Sequence, residues 1–273
     1  MNKILIDLSP RTIVDALRQN FYDVCWELRD QWKGAVFEET EKQRRWWTSM
    51  PAAFIFNAAI SKQPPAGDET AHIQETMEFF QSKRRTSFSW WLAPGLEESG
   101  WRDQLEARGF RWETGTPGMA VDLNIIPESV PMPEGFQIQS VKDTDTMKIW
   151  LKTFLLGYGF PPDWEAPGWD FMLATLADPN AMSYLAFVND QPVAASTIFY
   201  RAGVAGMYSV ATLKEWRGLG LGAAVTLQPL LNARAKGYRV GILQSSDMGY
   251  KVYQRLGFKE VCRMNHYSWQ KPE

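Results

Sequence analysis

The sequence is poor in the side chains that most often bind metals or form disulfides. It contains two cysteines, Cys25 and Cys262, and two histidines, His72 and His266, spread over 273 residues. A structural zinc site needs several such ligands at close spacing, and a disulfide framework needs paired cysteines. We therefore expect neither a metal site nor a disulfide-stabilised fold.

Long hydrophobic runs and a charge excess of one sign are also lacking. Asp7 interrupts the start before the core of a signal peptide could form, and the longest apolar run, from about Ala52 to Ile60, contains Asn57 and is too short to span a bilayer. The 29 basic and 31 acidic side chains give a net charge of -2. Nothing in this balance attracts nucleic acid or anionic lipid. We expect a cytoplasmic protein that binds neither.

Basic residues next to aromatic ones form two short clusters. Residues 42–47 read Lys-Gln-Arg-Arg-Trp-Trp, and residues 83–85 read Lys-Arg-Arg. Such clusters imitate surfaces that bind single-stranded nucleic acid. Since both runs are short and the net charge is near zero, we interpret them as solvent-exposed faces.

What the chain does contain is material for packed cores and about two domains. Hydrophobic residues make up 45% and aromatic residues 14%, which excludes a disordered chain. Three prolines cluster at Pro127, Pro131 and Pro133, ahead of Gly135. Since prolines mark breaks between elements, the sequence predicts a first domain over residues 1–126, a linker over 127–135 and a second domain over 136–273.

Hydrophobic periodicity predicts alternating helices and strands. In the first half we expect a helix that begins at Ser9-Pro10, helices over 68–81 and 97–108, and strands over 53–59, 87–92 and 119–123. The second half is more regular, with strands over 137–141, 183–188, 192–200, 205–213, 239–244 and 259–269 and helices from Asp143 and over 169–177, 220–236 and 247–256. A loop is predicted from Gly157 to Gly168, and Asn189-Asp190 is typical of a hairpin turn.

A weak internal similarity links the two halves. The residues before Gly109-Phe110 resemble those before Gly257-Phe258, each at the end of a helix that leads to a strand. We interpret this as a possible duplication of one α/β unit, although a helix that ends in Gly-Phe is common on its own.

The strongest local signal runs from Arg217 to Ala223, with the sequence Arg-Gly-Leu-Gly-Leu-Gly-Ala, between a strand and an apolar helix. Glycines let the backbone approach a ligand, and the first N–H groups of a helix have no intrahelical partner. The helix dipole also favours an anion there. This pattern favours a diphosphate site with a charge-assisted contact from Arg217.

Three other interpretations compete for this motif. A P-loop requires Gly-Lys-Ser/Thr, which Gly222-Ala223-Ala224 does not supply. A dinucleotide-binding Gly-x-Gly-x-x-Ala fits Gly218, Gly220 and Ala223, but the preceding strand ends several residues earlier and only about 50 residues follow. A glycine-rich helix start used only for close packing is the third alternative.

The pattern Arg-x-x-Gly-x-Gly resembles the acyl-CoA pyrophosphate loop of the GNAT N-acetyltransferase superfamily. The lead-in from Val210 to Trp216 and the stretch from Ser246 to Phe258 are also similar to that family, in the same order. The resemblance spans roughly Gly135 to Trp269. It implies an α/β protein with two GNAT-like domains, each a mixed, mostly antiparallel sheet flanked by helices. Trp90-Trp91 with the later Pro117-Gly118-Met119 resembles the degenerate N-terminal half of tandem members.

The resemblance also implies roles for individual residues. Val210, Ala211 and Thr212 would line the pantetheine arm, to which Val210 and Thr212 would offer main-chain groups. The pyrophosphate would be held by Arg217, Gly218, Leu219, Gly220, Leu221, Gly222 and Ala223. Ser246 stands where the family often has a pantetheine-binding Asn. Tyr253 would protonate the departing thiolate, a role for which a positioned phenol is chemically suited; the alternative is a core aromatic residue.

The base that takes the proton of the acceptor amine is left open. Asp163 and Glu165, in the predicted loop, and His266, acting through water, are candidates, although each has a plainer explanation as a surface or packed residue. Trp164 and Trp169 could hold an amine by cation–π contact or anchor the loop.

The function implied is transfer of an acetyl group from acetyl-CoA to an amine, and the alternative is an acyl-CoA-binding sensor without catalysis. A third alternative is a dehydrogenase that binds nicotinamide. The expected partner is a small-molecule or peptide amine, with no nucleic acid and no membrane, and a homodimer is left open.

Overall fold

The computed structural model describes residues 3–49, 56–61, 69–92 and 101–271. The α-helices are α1 Pro10–Trp26, α2 Glu69–Ser82, α3 Trp101–Glu106, α4 Thr144–Tyr158, α5 Glu165–Ala177, α6 Leu221–Ala235 and α7 Asp247–Arg255. The strands are β1 Ala35–Glu39, β2 Gln43–Thr48, β3 Ala58–Ser61, β4 Ser87–Leu92, β5 Phe110–Asp122, β6 Phe136–Ser140, β7 Ala181–Val188, β8 Gln191–Arg201, β9 Val204–Thr212, β10 Val240–Gln244 and β11 Lys259–Gln270. The α/β class expected from the sequence is confirmed.

The chain forms two compact units that interleave along the sequence. The larger unit comprises Met1–Val24 and Gly118–Val261, and the smaller unit comprises Cys25–Pro117 and Cys262–Glu273. Strands β5 and β11 each contribute residues to both units, which is why the units do not coincide with two consecutive halves. The proline-rich stretch over 127–135 lies within the larger unit.

The larger unit contains a sheet with the strand order β5–β10–β9–β8–β7–β6. Its described pairs are antiparallel except for β9 with β10. Leu185 and Ala195 belong to a core with α4 and α5, whereas their neighbours Ala186 and Ala194 belong to a core with α6. Because successive strand residues point to opposite faces, α4 and α6 cover opposite faces of the sheet.

Local signals in the sequence explain where several of these elements begin and end. The Asp143 carboxylate accepts a hydrogen bond from the Thr146 amide at 2.8 Å and caps α4, and these contacts hold the pKa of Asp143 below its usual range. Gly159 ends the same helix in the left-handed conformation, with φ of 73°. Asn189 and Asp190, with φ of 48° and 63°, make the predicted tight turn between β7 and β8.

The smaller unit contains a sheet with the order β1–β2–β3–β4–β11, in which β3 and β4 are parallel. Its core is aromatic: the rings of Phe80 and Phe88 stack at 4.1 Å, and Trp90 meets Trp101 edge-on at 5.6 Å. The Trp90 indole donates a hydrogen bond to the Ser61 hydroxyl at 2.9 Å, which ties β4 to the end of β3.

Three sequence-based expectations need correction. Residues 43–48 form strand β2 rather than a solvent-exposed face, since Trp46 is buried and Arg45, paired with Glu38, is only 6% exposed. The predicted loop is shorter than expected, because a 3-10 helix covers Pro162–Trp164 and α5 begins at Glu165. The strand predicted over 53–59 is observed at Ala58–Ser61, and residues 53–55 lie outside the described residues.

Within the described ranges, no helix is both long and apolar enough to cross a bilayer. Over the same part of the chain, no three His, Cys, Asp or Glu side chains come together as a metal site would require.

Candidate active site

The candidate site is built around a gap between strands β9 and β10. The two strands pair in parallel from Ala205↔Gly241 to Met207↔Leu243, and β9 then continues to Thr212 without β10. A β-bulge bends β9 at this point: between the pairs Ala195↔Ala211 and Thr197↔Tyr208, β8 has one residue and β9 has two. The first of these two, Ser209, adopts a φ of 53°. The bulge therefore directs residues 210–212 away from β10.

The start of α6 follows this stretch and presents free backbone donors. Gly218 and Gly220 both have φ of 83°, which other L residues rarely adopt. Gly220 is the N-cap without a side-chain cap, and the first backbone bond of the helix runs from the Ala224 amide to the Gly220 carbonyl at 3.1 Å. Among the described residues, the N–H groups of residues 218–223 have no hydrogen-bond partner. Free donors of this kind, together with the helix dipole, are the groups that bind anions at helix starts.

The structure places the glycine loop, residues 217–223, next to the end of β9. Leu221 is buried and anchors the helix start, whereas Leu219 is 49% exposed. A β-carbon on Gly222 would lie 3.5 Å from the Thr212 hydroxyl oxygen, so the first turn of α6 faces the last residue of β9. Val210 and Ala223 are half-buried, and Ala211 is buried.

The segment around Met132, predicted as a linker, contacts the glycine loop. A β-carbon on Gly220 would lie 3.0 Å from the Pro131 carbonyl oxygen and 3.1 Å from Cε of Met132. Met132 also packs against the core cluster that contains Leu221 and Val225. Gly220 is thus required by its backbone conformation and by its close neighbours, a contact that the sequence did not reveal.

Arg217 joins three backbone segments of the site. Its Nη2 donates to the Gly157 carbonyl at 2.7 Å, and its Nε donates to the Thr212 carbonyl at 3.2 Å. Gly157 lies so close to β9 that a β-carbon there would be 2.9 Å from Cβ of Ala211. The guanidinium therefore fixes the end of α4 to the end of β9, and the direct contact with a diphosphate predicted for Arg217 stays a prediction.

This bracing role predicts how two Arg217 variants should behave. Arg217→Lys keeps the charge but cannot span both carbonyls, so it should weaken the acetyl-CoA binding that the family resemblance implies nearly as much as Arg217→Met does, by about fivefold to tenfold. Isothermal titration calorimetry on both variants measures this difference. If the lysine variant binds like the wild type while the methionine variant does not, charge and not bracing is the contribution of Arg217.

Tyr253 lies on α7 with its ring against the preceding turn. It is 8% exposed, and a β-carbon on Gly249 would be 2.7 Å from its Cε2, so only glycine allows the ring this position. Its hydroxyl has no hydrogen-bond partner among the described residues. Burial, with a smaller contribution from the nearby Tyr158, raises the pKa of Tyr253 above its usual range. The ring belongs to a core cluster with Leu256 and Phe258. Tyr253 is therefore a packed aromatic residue, and this packing does not prevent its hydroxyl from acting as a proton donor.

Tyr158 is a candidate site residue that sequence reasoning missed. It is the last residue of α4, follows Gly157 directly, and influences Tyr253 electrostatically. Burial raises the pKa of Tyr158, although the residue is 47% exposed. Its ring stacks on Phe160 at 5.3 Å, and Phe160 stacks on Trp164 at 4.6 Å. Its place in the Gly157–Gly168 segment was the only signal available.

The remaining candidates differ in how the structure places them. The Ser246 hydroxyl accepts a hydrogen bond from the Gly249 amide at 3.3 Å and caps α7, which leaves its own proton available to a ligand. Asp163 and Glu165 are exposed. Trp164 and Trp169 pack against the core of α4 and α5, which favours the anchoring alternative for both.

His266 belongs to the smaller unit and stacks on Trp91 at 4.2 Å. Burial lowers the pKa of His266 to about 4, opposed by Glu113, so the imidazole is neutral at physiological pH. Its Nε2 is buried and has no hydrogen-bond partner in the described residues.

Comparison with known proteins identifies one family. Residues 144–258 match the model of the Acetyltransferase (GNAT) family, a range that contains β9, the glycine loop and α7. A comparison with curated protein sequences finds no match.

Several solved structures share the fold over nearly the whole chain. A GCN5-related N-acetyltransferase from Kribbella flavida has a TM-score of 0.67 and 17% identity, covering 98% of this chain and 97% of that chain. One from Sphaerobacter thermophilus has a TM-score of 0.66 and 15% identity, covering 100% and 96%. A tandem GNAT protein from the clavulanic acid biosynthesis pathway has a TM-score of 0.61 and 12% identity, covering 100% and 99%. At these identities the likeness concerns the fold, and it agrees with the expected tandem arrangement.

Proposed function

We propose that this protein, in which residues 144–258 form a GNAT acetyltransferase domain, transfers an acetyl group from acetyl-CoA to a primary amine. The single observation that carries the proposal is the set of unpartnered backbone donors at residues 218–223, beside the free stretch of β9. Residues 218–220 are exposed, and residues 222 and 223 are half-buried, so a ligand from solvent can reach these donors. A diphosphate supplies acceptors of the required number and charge.

The residues of the larger unit suit the successive parts of acetyl-CoA. The amides of the glycine loop would hold the diphosphate, and the main chain of Val210 would pair with the amide groups of the pantetheine arm. The Thr212 carbonyl is already engaged by Arg217, which leaves its amide and hydroxyl for that role. The Ser246 hydroxyl would donate to the same arm from the start of α7.

Tyr253 has the properties of a general acid for this reaction. The amine nitrogen would form a bond to the thioester carbon, the carbon–sulfur bond would break, and the sulfur would leave as a thiolate. The Tyr253 phenol would give its proton to that sulfur, and the amine would lose its extra proton to solvent or to a base. The phenol is protonated at physiological pH, as a proton donor must be, while burial, which raises its pKa, makes it a weaker acid toward the sulfur than an exposed tyrosine would be.

Incubation with labelled acetyl-CoA and a panel of amines tests the proposal. The panel should contain amino acids, polyamines, amino sugars and peptides with free N-termini, with free thiol and acetylated product measured by mass spectrometry. Product that depends on both the amine and the protein supports acetyl transfer. If calorimetry detects no acetyl-CoA binding at all, the proposal is overturned.

A second candidate, a sensor that binds acyl-CoA without catalysis, is favoured by one observation. The two carboxylates predicted as bases, Asp163 and Glu165, are both exposed to solvent, and neither is held by the site. Tight acetyl-CoA binding without transfer to any amine in the panel would support this candidate over the enzyme.

A further inference from the structure

Helix α1 places a buried amide against the strand that opens the candidate site. Asn20 is fully buried, and its Nδ2 donates to the carbonyls of Arg201 at 3.0 Å and Phe199 at 3.4 Å, near the end of β8. Its Oδ1 accepts a hydrogen bond from the Tyr208 hydroxyl at 2.8 Å. One side chain from the start of the chain therefore joins β8 and β9.

Tyr208 occupies a special position on β9. It follows Met207, the last residue that pairs with β10, and precedes Ser209, where the bulge begins. It is thus the residue at which β9 leaves β10 and the gap opens. The Asn20–Tyr208 hydrogen bond holds β9 at this point.

The fit between α1 and the strand is close. A β-carbon on Gly206 would lie 2.4 Å from Oδ1 of Asn20 and 2.8 Å from Cε2 of Tyr208, so the strand carries glycine where the amide lies. The first residues of the chain add a second attachment at the turn between β8 and β9, where the Leu5 amide donates to the Gly203 carbonyl at 3.0 Å. The first 24 residues are therefore part of the same compact unit as the candidate site.

We propose that the Asn20–Tyr208 pair positions strand β9 and sets how far the gap between β9 and β10 opens, and so favours short acyl groups. The inference rests on the proposed acyl-CoA function. The Met207–Leu243 pair closes one end of the gap. The position of β9 would therefore limit the length of an acyl group that enters the gap toward this end. If the pair is broken, β9 loses this side-chain hydrogen bond to α1 beside the bulge, and longer acyl groups gain room.

Tyr208→Phe is the direct test, because it removes one hydrogen bond and keeps the ring against Phe199. We expect the affinity for acetyl-CoA to fall about threefold to tenfold. We also expect the ratio of kcat/KM for acetyl-CoA over butyryl-CoA to fall by about threefold or more. Asn20→Leu should shift the ratio in the same direction, and the double variant should be no worse than Asn20→Leu alone.

Tyr184→Phe provides a matched control. The Tyr184 hydroxyl accepts a hydrogen bond from Nδ2 of Asn232 at 3.0 Å, so another Asn–Tyr pair of this unit is lost without a change at β9. Both phenylalanine variants should lower the Tm by a few degrees, since each leaves an amide without its partner. Of these two variants, only Tyr208→Phe should change the ratio of kcat/KM for acetyl-CoA over butyryl-CoA.

The outcomes separate this inference from the proposed function. If the wild type transfers acetyl groups and Tyr208→Phe keeps the wild-type ratio and affinity, the positioning role is wrong and the acetyltransferase stands. Equal changes in Tyr184→Phe would also overturn it, because the effect would then be a general loss of stability. If the wild type binds no acyl-CoA, both proposals fail.

Discussion

Tyr253→Phe should lower kcat about tenfold or more and leave the affinity for acetyl-CoA within about twofold of the wild type. The substitution removes the only acidic proton that the ring carries and keeps its packing against Leu256 and Phe258. Because the hydroxyl has no hydrogen-bond partner among the described residues, its loss should change the Tm by no more than about 2 °C. Steady-state kinetics and calorimetry measure the two effects separately.

Tyr200→Phe is the matched control for this variant. Tyr200 is another buried tyrosine of the larger unit, and its hydroxyl also lacks a partner within the described residues. It lies on β8, opposite Ala205, which pairs with β10 before the gap opens. We expect kcat to be unchanged in this variant. An equal loss of kcat in both variants would show that Tyr253 acts through packing alone.

Displacing the phenol instead of deleting it should give a similar result. In Gly249→Ala the new methyl group would fall 2.7 Å from Cε2 of Tyr253, so the ring must move. Alanine in a helix is more favourable than glycine by about 1 kcal/mol, which offsets part of the strain. We expect kcat to fall roughly tenfold while the protein stays folded, because a small misplacement of a reacting group is costly. A wild-type kcat would mean that the position of the phenol is unimportant.

The pH dependence of kcat follows from the raised pKa of Tyr253. A general acid must be protonated, and an ordinary tyrosine ionises near pH 10. Since burial raises the pKa of Tyr253, the protonated form persists to a higher pH than in an ordinary tyrosine. Ionisation of Tyr253 should therefore lower kcat only above about pH 10. A decline in kcat below about pH 9 must then come from another group. Comparison of the pH profiles of wild type and Tyr253→Phe shows which limb belongs to the phenol.

The sequence predicted elements whose signals are local. The cap at Asp143 and the turn at Asn189-Asp190 depend on residues within a few positions of one another, and both are observed as expected. The glycine loop was found for the same reason, since a run of glycines before an apolar helix is visible within one stretch of chain.

Features that depend on distant partners were not predictable in this way. The hydrogen bond between Asn20 and Tyr208 joins residues 188 positions apart, and the Arg217 guanidinium turns to Gly157, 60 positions away. The bulge at Ser209 breaks the alternation that identifies strands, and no glycine marks it. Strand β2 was missed because Arg44 and Arg45 lie where a buried strand is expected to be apolar. Their ion pairs with Glu39 and Glu38 offset that burial.

Gly222→Glu should abolish most acetyl-CoA binding without destabilising the protein. Gly222 is the second residue of α6, and a β-carbon there would meet only the Thr212 hydroxyl, at 3.5 Å, an ordinary contact. A carboxylate in the first turn of a helix interacts favourably with the dipole, by about 0.3–1 kcal/mol, so the Tm should be unchanged or higher. The same carboxylate would repel a diphosphate held by the amides of residues 218–223. At about 5 Å and an effective dielectric constant of about 20 to 80, each pair of charges contributes roughly 1–3 kcal/mol, which corresponds to a roughly tenfold to hundredfold loss of affinity.

Gly222→Gln separates the charge of this variant from its bulk. Glutamine has nearly the same size and no charge, so it should weaken acetyl-CoA binding much less than glutamate does. The difference between the two variants should shrink as salt is added, because exposed charges are screened. Gly220 is unsuitable for this comparison, since a β-carbon there would lie 3.0 Å from the Pro131 carbonyl oxygen and its φ of 83° is unfavourable for any residue with a side chain. If Gly222→Glu binds acetyl-CoA as tightly as Gly222→Gln does at low salt, no diphosphate lies at the start of α6. The unpartnered donors of residues 218–223 would then no longer support the proposed function.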